Sequence, residues 1–444
     1  MRLGGSLPRV PRPLITRRTR AICALFVASL LRAAPVSASH STEVPETQHV
    51  IAGADHPERI AVGMRSGGYY LTEDAGRTWS WLCEEALFYD DSETYPGVLA
   101  NDGSLVLSTG FRGVAASSDG CEWSNWSSGQ SDFIVDLRYS ALTREIVALN
   151  SITRAGIRTT EVWVSTDGGK NFEQRGQPLP VENEPKTLSA ADSGHYYVAA
   201  ATAAGATLFE TRDAGAVWTE RLIDPNVASV LRIAGVFENT VVLTLHRTVE
   251  GASAQDRVLL ADATSVRILF DANGELAPAA LAPDGTIAFG GPAGVWVSRY
   301  AAGSFSEPEL MSDFPTRGLT FWGTRLLSAG SEATDGFSLA ISDDLGKTFA
   351  PFLKLCEANA GQVCAPETSA AAACVDHTSF SQIAALDTDS LCRSAAPAAP
   401  PEESSGGCAQ ARHASRTPRA GLAAMLLLVG LSAFRRRATS RRSR

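Results

Sequence analysis

The sequence predicts an all-β fold: a seven-bladed β-propeller occupying residues 45–352. Two observations carry that reading. A short turn motif returns at the period of a four-stranded blade. Between its copies run short alternating strands separated by turn residues. A third observation sets the limits, because both ends of the 444-residue chain read as targeting segments.

The motif is clearest at Thr72–Trp79, TEDAGRTW. Asp74 is placed to accept backbone N–H bonds within a turn. Gly76 supplies the positive φ that a tight turn demands. Trp79 starts the returning strand and buries a large ring. The motif returns at Ser117–Trp123 with Asp119 and Trp123, and at Ser165–Phe172 with Asp167, Gly169 and Phe172. It returns again at Thr211–Trp218 with Asp213, Gly215 and Trp218, and at Ser342–Phe349 with Asp344, Gly346 and Phe349. The first four aspartates lie 45 to 48 residues apart. Asp213 and Asp344 are 131 apart, which leaves room for two worn copies. LLADATSV (Leu259–Val266) keeps the aspartate and loses the Gly and the aromatic. VSRYAAGSF (Val297–Phe305) keeps Ser298, Gly303 and Phe305 and loses the aspartate. The count is therefore seven.

This repeat resembles the Asp-box, or BNR repeat, of sialidases, sortilin-type receptor propellers, some glycoside hydrolases and the seven-bladed assembly factor of photosystem II. The resemblance implies a propeller whose boxes sit on hairpins remote from the active site. The box residues are accordingly read as structural.

Taken in order, blade one uses His49–Gly53, Ile60–Arg65, Tyr69–Thr72 and Thr78–Leu82. Blade two uses Gly97–Ala100, Leu105–Ser108, Gly113–Ser117 and Trp123–Trp126, with the turn Asn101-Asp102-Gly103. Blades three to seven span about Ile134–Gln174, Thr187–Leu222, Val230–Phe270, Ala279–Phe305 and Gly318–Phe352. By the family topology, the boxes fill the turns between third and fourth strands. Three longer loops belong to the opposite face: 84–96, 150–161 and 246–257. Loops on a rigid scaffold are where binding resides. The first of them carries Tyr89, Asp90, Asp91 and Tyr95. It reads as a solvated acidic loop. The rival readings are oxygen ligation of Ca²⁺ and aromatics presented to a sugar or peptide. The ligand order of an EF-hand is missing, and no cofactor is expected.

Residues 1–38 read as a signal peptide: six arginines up to Arg20, an apolar run Ile22–Leu31, and Val36-Ser37-Ala38 for cleavage. At the other end, Arg393–Gly407 is a Pro/Ala/Ser-rich linker. Residues 408–444 combine Cys408, the apolar segment 420–434 and a terminal Arg cluster. The cluster holds its end on the cytoplasmic side, and the apolar segment is short for a permanent span. This tail resembles the myxobacterial C-terminal sorting domain, MYXO-CTERM. That resemblance implies a sorting protease and makes Cys408 the processing and lipid-attachment position. The expected location is the cell surface or outer membrane, anchored through the C-terminus as a lipoprotein.

The chain holds 39 basic and 48 acidic residues. The two end segments contain 7 and 9 arginines and no acid, so residues 39–407 keep 23 basic residues and a formal charge of −25. Such a body repels nucleic acid phosphates. Of eight cysteines, Cys23 leaves with the signal peptide and Cys408 belongs to the tail. Cys83, Cys121, Cys356, Cys364, Cys374 and Cys392 remain, an even number that reads as disulfides in an exported chain. Cys83 follows the first box and Cys121 lies inside the second, which suggests a bond between neighbouring blades. The last four suggest a stapled module at 353–392, with the pairing open.

No HExxH, GxSxG, Walker or Rossmann pattern is present. The early Arg-Ile-Pro expected of a sialidase is also missing, since Arg59-Ile60 is followed by Ala61. The function read from the chain is a non-catalytic binding module for a protein or glycan at the cell surface. The alternative is a glycoside hydrolase or sialidase-like enzyme, which needs two facing carboxylates or a cluster of arginines on the loop-rich face.

Overall fold

The computed structural model describes residues 46–53, 55–65, 68–87, 96–128, 131–154, 157–179, 184–226, 229–247, 255–272, 274–355, 358 and 364–374. They form seven four-stranded antiparallel sheets. Blade one is β1 (Thr47–Ala52), β2 (Ile60–Met64), β3 (Tyr69–Thr72) and β4 (Ser80–Leu82). Blade two is β5 (Gly97–Leu99), β6 (Leu105–Ser108), β7 (Val114–Ser117) and β8 (Ser124–Trp126). Blade three is β9 (Ser131–Ser140), β10 (Glu145–Arg154), β11 (Ile157–Ser165) and β12 (Glu173–Arg175). Blade four is β13 (Glu184–Asp192), β14 (His195–Thr202), β15 (Gly205–Thr211) and β16 (Thr219–Asp224). Blade five is β17 (Val230–Phe237), β18 (Thr240–His246), β19 (Arg257–Ala261) and β20 (Val266–Asp271). Blade six is β21 (Ala280–Leu281), β22 (Ile287–Gly291), β23 (Gly294–Ser298) and β26 (Glu309–Ser312), with the hairpin β24 (Tyr300–Ala301) and β25 (Ser304–Phe305) before its outer strand. Blade seven is β27 (Gly318–Trp322), β28 (Arg325–Ala329), β29 (Leu339–Ser342) and β30 (Ala350–Leu353).

The first strand of each blade is innermost and packs beside the first strand of the next, from β1 round to β27 and back to β1. Side chains alternate across a strand, so each blade offers an apolar face to both neighbours. The core lies between the blades. Val106 and Ala116 of blade two meet Ile134, Leu137 and Ile146 of blade three. Tyr197 and Leu208 of blade four meet Leu231 and Leu243 of blade five. The second strand IAVGM of blade one is buried at all five positions, as its two-sided packing requires.

Polar bonds tie inner strands together across these seams. The Asp136 carboxylate on β9 accepts the Leu188 N–H of β13 at 2.8 Å. The Ile233 N–H of β17 donates to Thr187 Oγ1 of β13 at 2.8 Å. At the seam between blades seven and one, Thr47 N–H donates to the Gly330 carbonyl at 3.2 Å and Thr47 Oγ1 to the Ser338 carbonyl at 2.7 Å. Each blade takes its four strands from one stretch of chain, interrupted in blade six by the β24–β25 hairpin, so among the described residues no blade is completed by exchanging strands between the chain's two ends.

A covalent clasp lies beside that seam. Cys83, just after β4, is bonded to Cys374, and Cys121, in the turn before β8, is bonded to Cys364. The segment after blade seven therefore lies across blades one and two. Its short helix Ser369–Cys374 packs on the 3-10 turn Glu84–Leu87. Ser369 Oγ donates to the Cys121 carbonyl at 3.2 Å, and the Ala370 N–H reaches the same oxygen at 3.1 Å.

Several expectations are corrected here. Cys83 and Cys121 do not bond each other, and Cys364 and Cys374 do not staple a separate module; each pairs with a blade. Cys356, Cys392 and Cys408 lie outside the described residues, as do the signal and sorting segments. Blade six does not end at Phe305. Its box position is taken up by the β24–β25 hairpin, in which Phe305 turns inward against Phe237 and Tyr300, and the outer strand follows at Glu309. The expected loop 150–161 is largely strand, because Asn150–Arg154 pairs residue by residue with Ile157–Glu161.

Candidate functional site

The repeated aspartates occupy turns between third and fourth strands. In blade one, Asp74 Oδ1 accepts the Thr78 N–H at 2.8 Å and the Thr72 hydroxyl at 2.8 Å, while Oδ2 accepts the Thr78 hydroxyl at 2.7 Å. Thr72 Oγ1 in turn accepts the Gly76 N–H at 2.9 Å. The two Oδ1 bonds recur around Asp167, Asp213 and Asp344, and the Oδ2 bond recurs at Asp167 from the Asn171 amide and at Asp344 from the Thr348 hydroxyl. Asp119 takes the N–H groups of Cys121 and Glu122. In the worn copy of blade five, Asp262 takes those of Thr264 and Ser265. The Thr78 N–H and hydroxyl hold the Asp74 carboxyl down to about 2, and the Thr348 N–H likewise lowers Asp344.

These turns also lean on the preceding blade. A Cβ on Gly76 would meet the Phe352 ring of blade seven at 2.1 Å, and one on Gly169 would meet Val106 of blade two at 2.7 Å. Trp79 packs edge-on against Phe352 at 5.8 Å, and Phe172 packs against Trp126 at 4.9 Å. Trp218 Nε1–H donates to the Gln177 carbonyl at 3.2 Å. Trp123 is buried and its Nε1–H donates to the Gly120 carbonyl at 3.0 Å. Phe349 stacks on Phe314 at 4.2 Å. Every carboxylate here is consumed by its own turn, and the rings fill seams.

The opposite face carries a cavity of about 610 Å³, where blades five, six and seven meet. Its walls come from the ends of β17 and β18, from Pro292 between β22 and β23, from Asp335 between β28 and β29, and from the stretches leading into β21 and β27. Those are the ends of the strands away from the box turns. Arg317, on the approach to β27, is held from three sides: Asp335 at 3.2 Å, Glu46 at 3.3 Å and the Thr334 hydroxyl at 3.0 Å. Asp335 also accepts the Ser331 N–H at 2.8 Å. His246, at the end of β18, sets Nδ1 at 2.7 Å from Asp256 Oδ1. Asp256 is fully buried, and its other oxygen accepts the Leu276 N–H at 2.7 Å. That bond fixes the imidazole edge that lines the cavity. Arg232 and Glu275 line it too; the Arg232 charge also reaches the buried Asp136 carboxylate.

Two other polar clusters are architectural. Burial pushes the Asp136 carboxyl up, with Arg138 at 3.2 Å opposing, and Asp136 spans a seam between blades. Glu210 gathers Arg212 at 2.7 Å, His195 at 3.0 Å and Tyr197 at 3.4 Å on the box side of blade four.

Of the residues singled out in the sequence, Asp90, Asp91, Tyr89 and Tyr95 lie outside the described residues. Arg232, Glu275 and Arg317 were missed by sequence reasoning, whereas His246 and Asp256 fall inside the loop 246–257 that it assigned to this face without singling them out. They come from three blades and form no linear motif; only the alternation Val230, Arg232 on β17 and Thr244, His246 on β18 was there to be read.

No family model and no curated protein matches the chain. Solved structures similar to it include a GH74 xyloglucanase from Xanthomonas campestris, 13% identical, covering 70% of this chain and 68% of that one with a TM-score of 0.39. The β-propeller domain of the Trilobed protease from Pyrococcus furiosus is 10% identical over 70% of this chain and 96% of its own, with a TM-score of 0.46. A Trypanosoma rangeli sialidase is 10% identical over 60% of this chain and 52% of its own, with a TM-score of 0.36. At such identities the likeness is one of fold.

Proposed function

We propose that this protein is an exported, surface-tethered propeller that binds a protein or glycan partner in the cavity between blades five, six and seven. One observation carries the reading: the cavity on the face away from the box turns, walled by Arg232, Arg317 and His246. Its volume is in the range of sites that hold small ligands or the end of a larger one. Two of the acids around it, Asp335 and Asp256, already serve as acceptors for Arg317, His246 and backbone N–H groups. They position cations, which suits binding better than acid–base turnover. The repeated aspartates, on this reading, build the ring and take no part in recognition. A hydrolase reading has one observation in its favour, since Glu275 and Asp335 both line the cavity.

Export and tethering come from the two ends of the chain. The signal peptide takes the body out of the cytoplasm, and the tail is cut near Cys408, whose sulfur carries lipid. One acyl chain gives weak, reversible membrane binding, so stable tethering takes two or more. The test of binding is a glycan and peptide array probed with residues 39–392. Hits that vanish when Pro278→Trp fills the cavity support the proposal. Hits indifferent to that change, or release of cleaved sugars from the array, contradict it.

A further inference from the structure

Resting on the reading of this cavity as the ligand seat, we propose that the ligand presents a single carboxylate, clamped between Arg232 and His246 of blade five. The register of the inner hairpin carries the argument. Arg232 lies opposite Thr244, and Val230 opposite His246. Residues two apart on one strand share a face, as do cross-strand partners. Arg232 and His246 are therefore diagonal neighbours on one face, about 7–8 Å apart at the backbone, within reach of long side chains. Both line the cavity.

The two groups are complementary. The Arg232 side chain feels the buried Asp136 carboxylate at a distance but has no hydrogen bond or ion pair in contact among the described residues, whereas Arg317 across the cavity is engaged by Glu46, Asp335 and Thr334. A guanidinium whose fork is not already bonded offers a planar pair of donors that fits a carboxylate with two parallel bonds. His246 is fixed from behind by the buried Asp256 at 2.7 Å. With Nδ1 committed to Asp256, Nε2 is the ring nitrogen left to face the ligand. The ring thus needs no reorganisation to receive an oxyanion.

Charge limits the ligand to one carboxylate. Glu275 shares the cavity and would repel a second anion. The body's formal −25 works against polyanions at long range. That field is screened over about 8 Å at physiological salt, so the local pair decides the fate of a single carboxylate. The rest of the ligand is accordingly neutral or cationic. A uronate-terminated glycan and a peptide with a free C-terminus both satisfy this chemistry.

The test uses the full exported chain and two matched probe pairs in calorimetry. One pair is a glucuronate-terminated trisaccharide and its glucose-terminated counterpart. The other is a neutral tetrapeptide with a free C-terminus and its C-terminal amide. One acid is expected to bind at least tenfold tighter than its neutral partner, and which pair shows it identifies the source. Arg232→Gln should erase the preference, His246→Gln should weaken it, and Arg232→Lys should retain part of it. Arg232 is exposed but its charge also favours the buried Asp136 carboxylate, so the melting temperature of each variant is measured alongside, and Arg232→Lys, which keeps the charge, separates loss of the fork from loss of stability. Equal binding of acid and neutral probes, a preference that survives Arg232→Gln, or no binding by any probe at millimolar concentration overturns the proposal. Neutral binding that Pro278→Trp abolishes would sink the carboxylate and leave the seat standing. Acid binding that survives Pro278→Trp would sink the seat itself.

Discussion

Removal of the Cys121–Cys364 bond by the paired change Cys121→Ser, Cys364→Ser should weaken the whole ring. The bond closes a separation of 243 residues. With Cys83–Cys374 still in place the chain is already closed over a separation of 291. The loop that the second bond adds then runs from Cys83 to Cys121 and back from Cys364 to Cys374, about 50 residues. Chain-entropy reasoning assigns such a loop about 4 kcal/mol, against about 5–6 kcal/mol if the bond stood alone. Engineered and native bonds commonly deliver less, which makes 4 kcal/mol an upper value. The assay is urea unfolding followed by tryptophan fluorescence. With a slope of a few kcal/mol per M, the midpoint should fall by about 1 M. Wild type treated with reductant should fall further, since both bonds open. A midpoint unchanged in the paired variant would refute a stabilising role for this bond of the clasp.

Further outcomes can be checked alongside. Gly76→Ala should destabilise by about 1–3 kcal/mol, because φ is 83° there and the new Cβ meets the Phe352 ring; Ala75→Gly, at φ 62°, should do no harm. The box carboxyls titrate below their unfolded values, so they contribute stability above pH 4 that is lost as pH falls through their folded values, which for Asp74 is about 2. Thermal melts between pH 5 and pH 2 should show that fall, with a shallower slope in Asp344→Asn. The mature C-terminus should end near Cys408 with lipid on its sulfur; mass spectrometry finding an unmodified chain ending at Arg444 would contradict it.

The architecture was legible because each box residue does local work that its own neighbours reveal. Asp74 needs Thr72 before it and Thr78 after it, and all three sit within one short stretch. Where that work passes to other groups, legibility falls. Blade six keeps Ser298 but closes its turn through Ser306, whose carbonyl accepts the Ser298 hydroxyl at 2.7 Å, so the copy seemed to end one strand early. The disulfides were legible as a class and not as pairs. Cys83 and Cys374 meet only because the ring brings the chain's end back to its start. The cavity was least legible of all: alternation places Arg232 and His246 on one face, but which face meets a cavity depends on how blades five, six and seven close. No helix among the described residues is long and apolar enough to cross a membrane, and the apolar segment 420–434 lies outside them.

The central claim is that recognition and ring-building are divided between the two faces. Its most direct measurement is the affinity of the strongest array ligand for three proteins: wild type, Asp213→Ala and Pro278→Trp. Asp213→Ala should lower the melting temperature and leave the affinity as it was, because Asp213 serves only its own turn. Pro278→Trp should keep the melting temperature and lose the ligand. Affinity lost in Asp213→Ala at an unchanged melting temperature, or kept in Pro278→Trp, would place recognition on the other face.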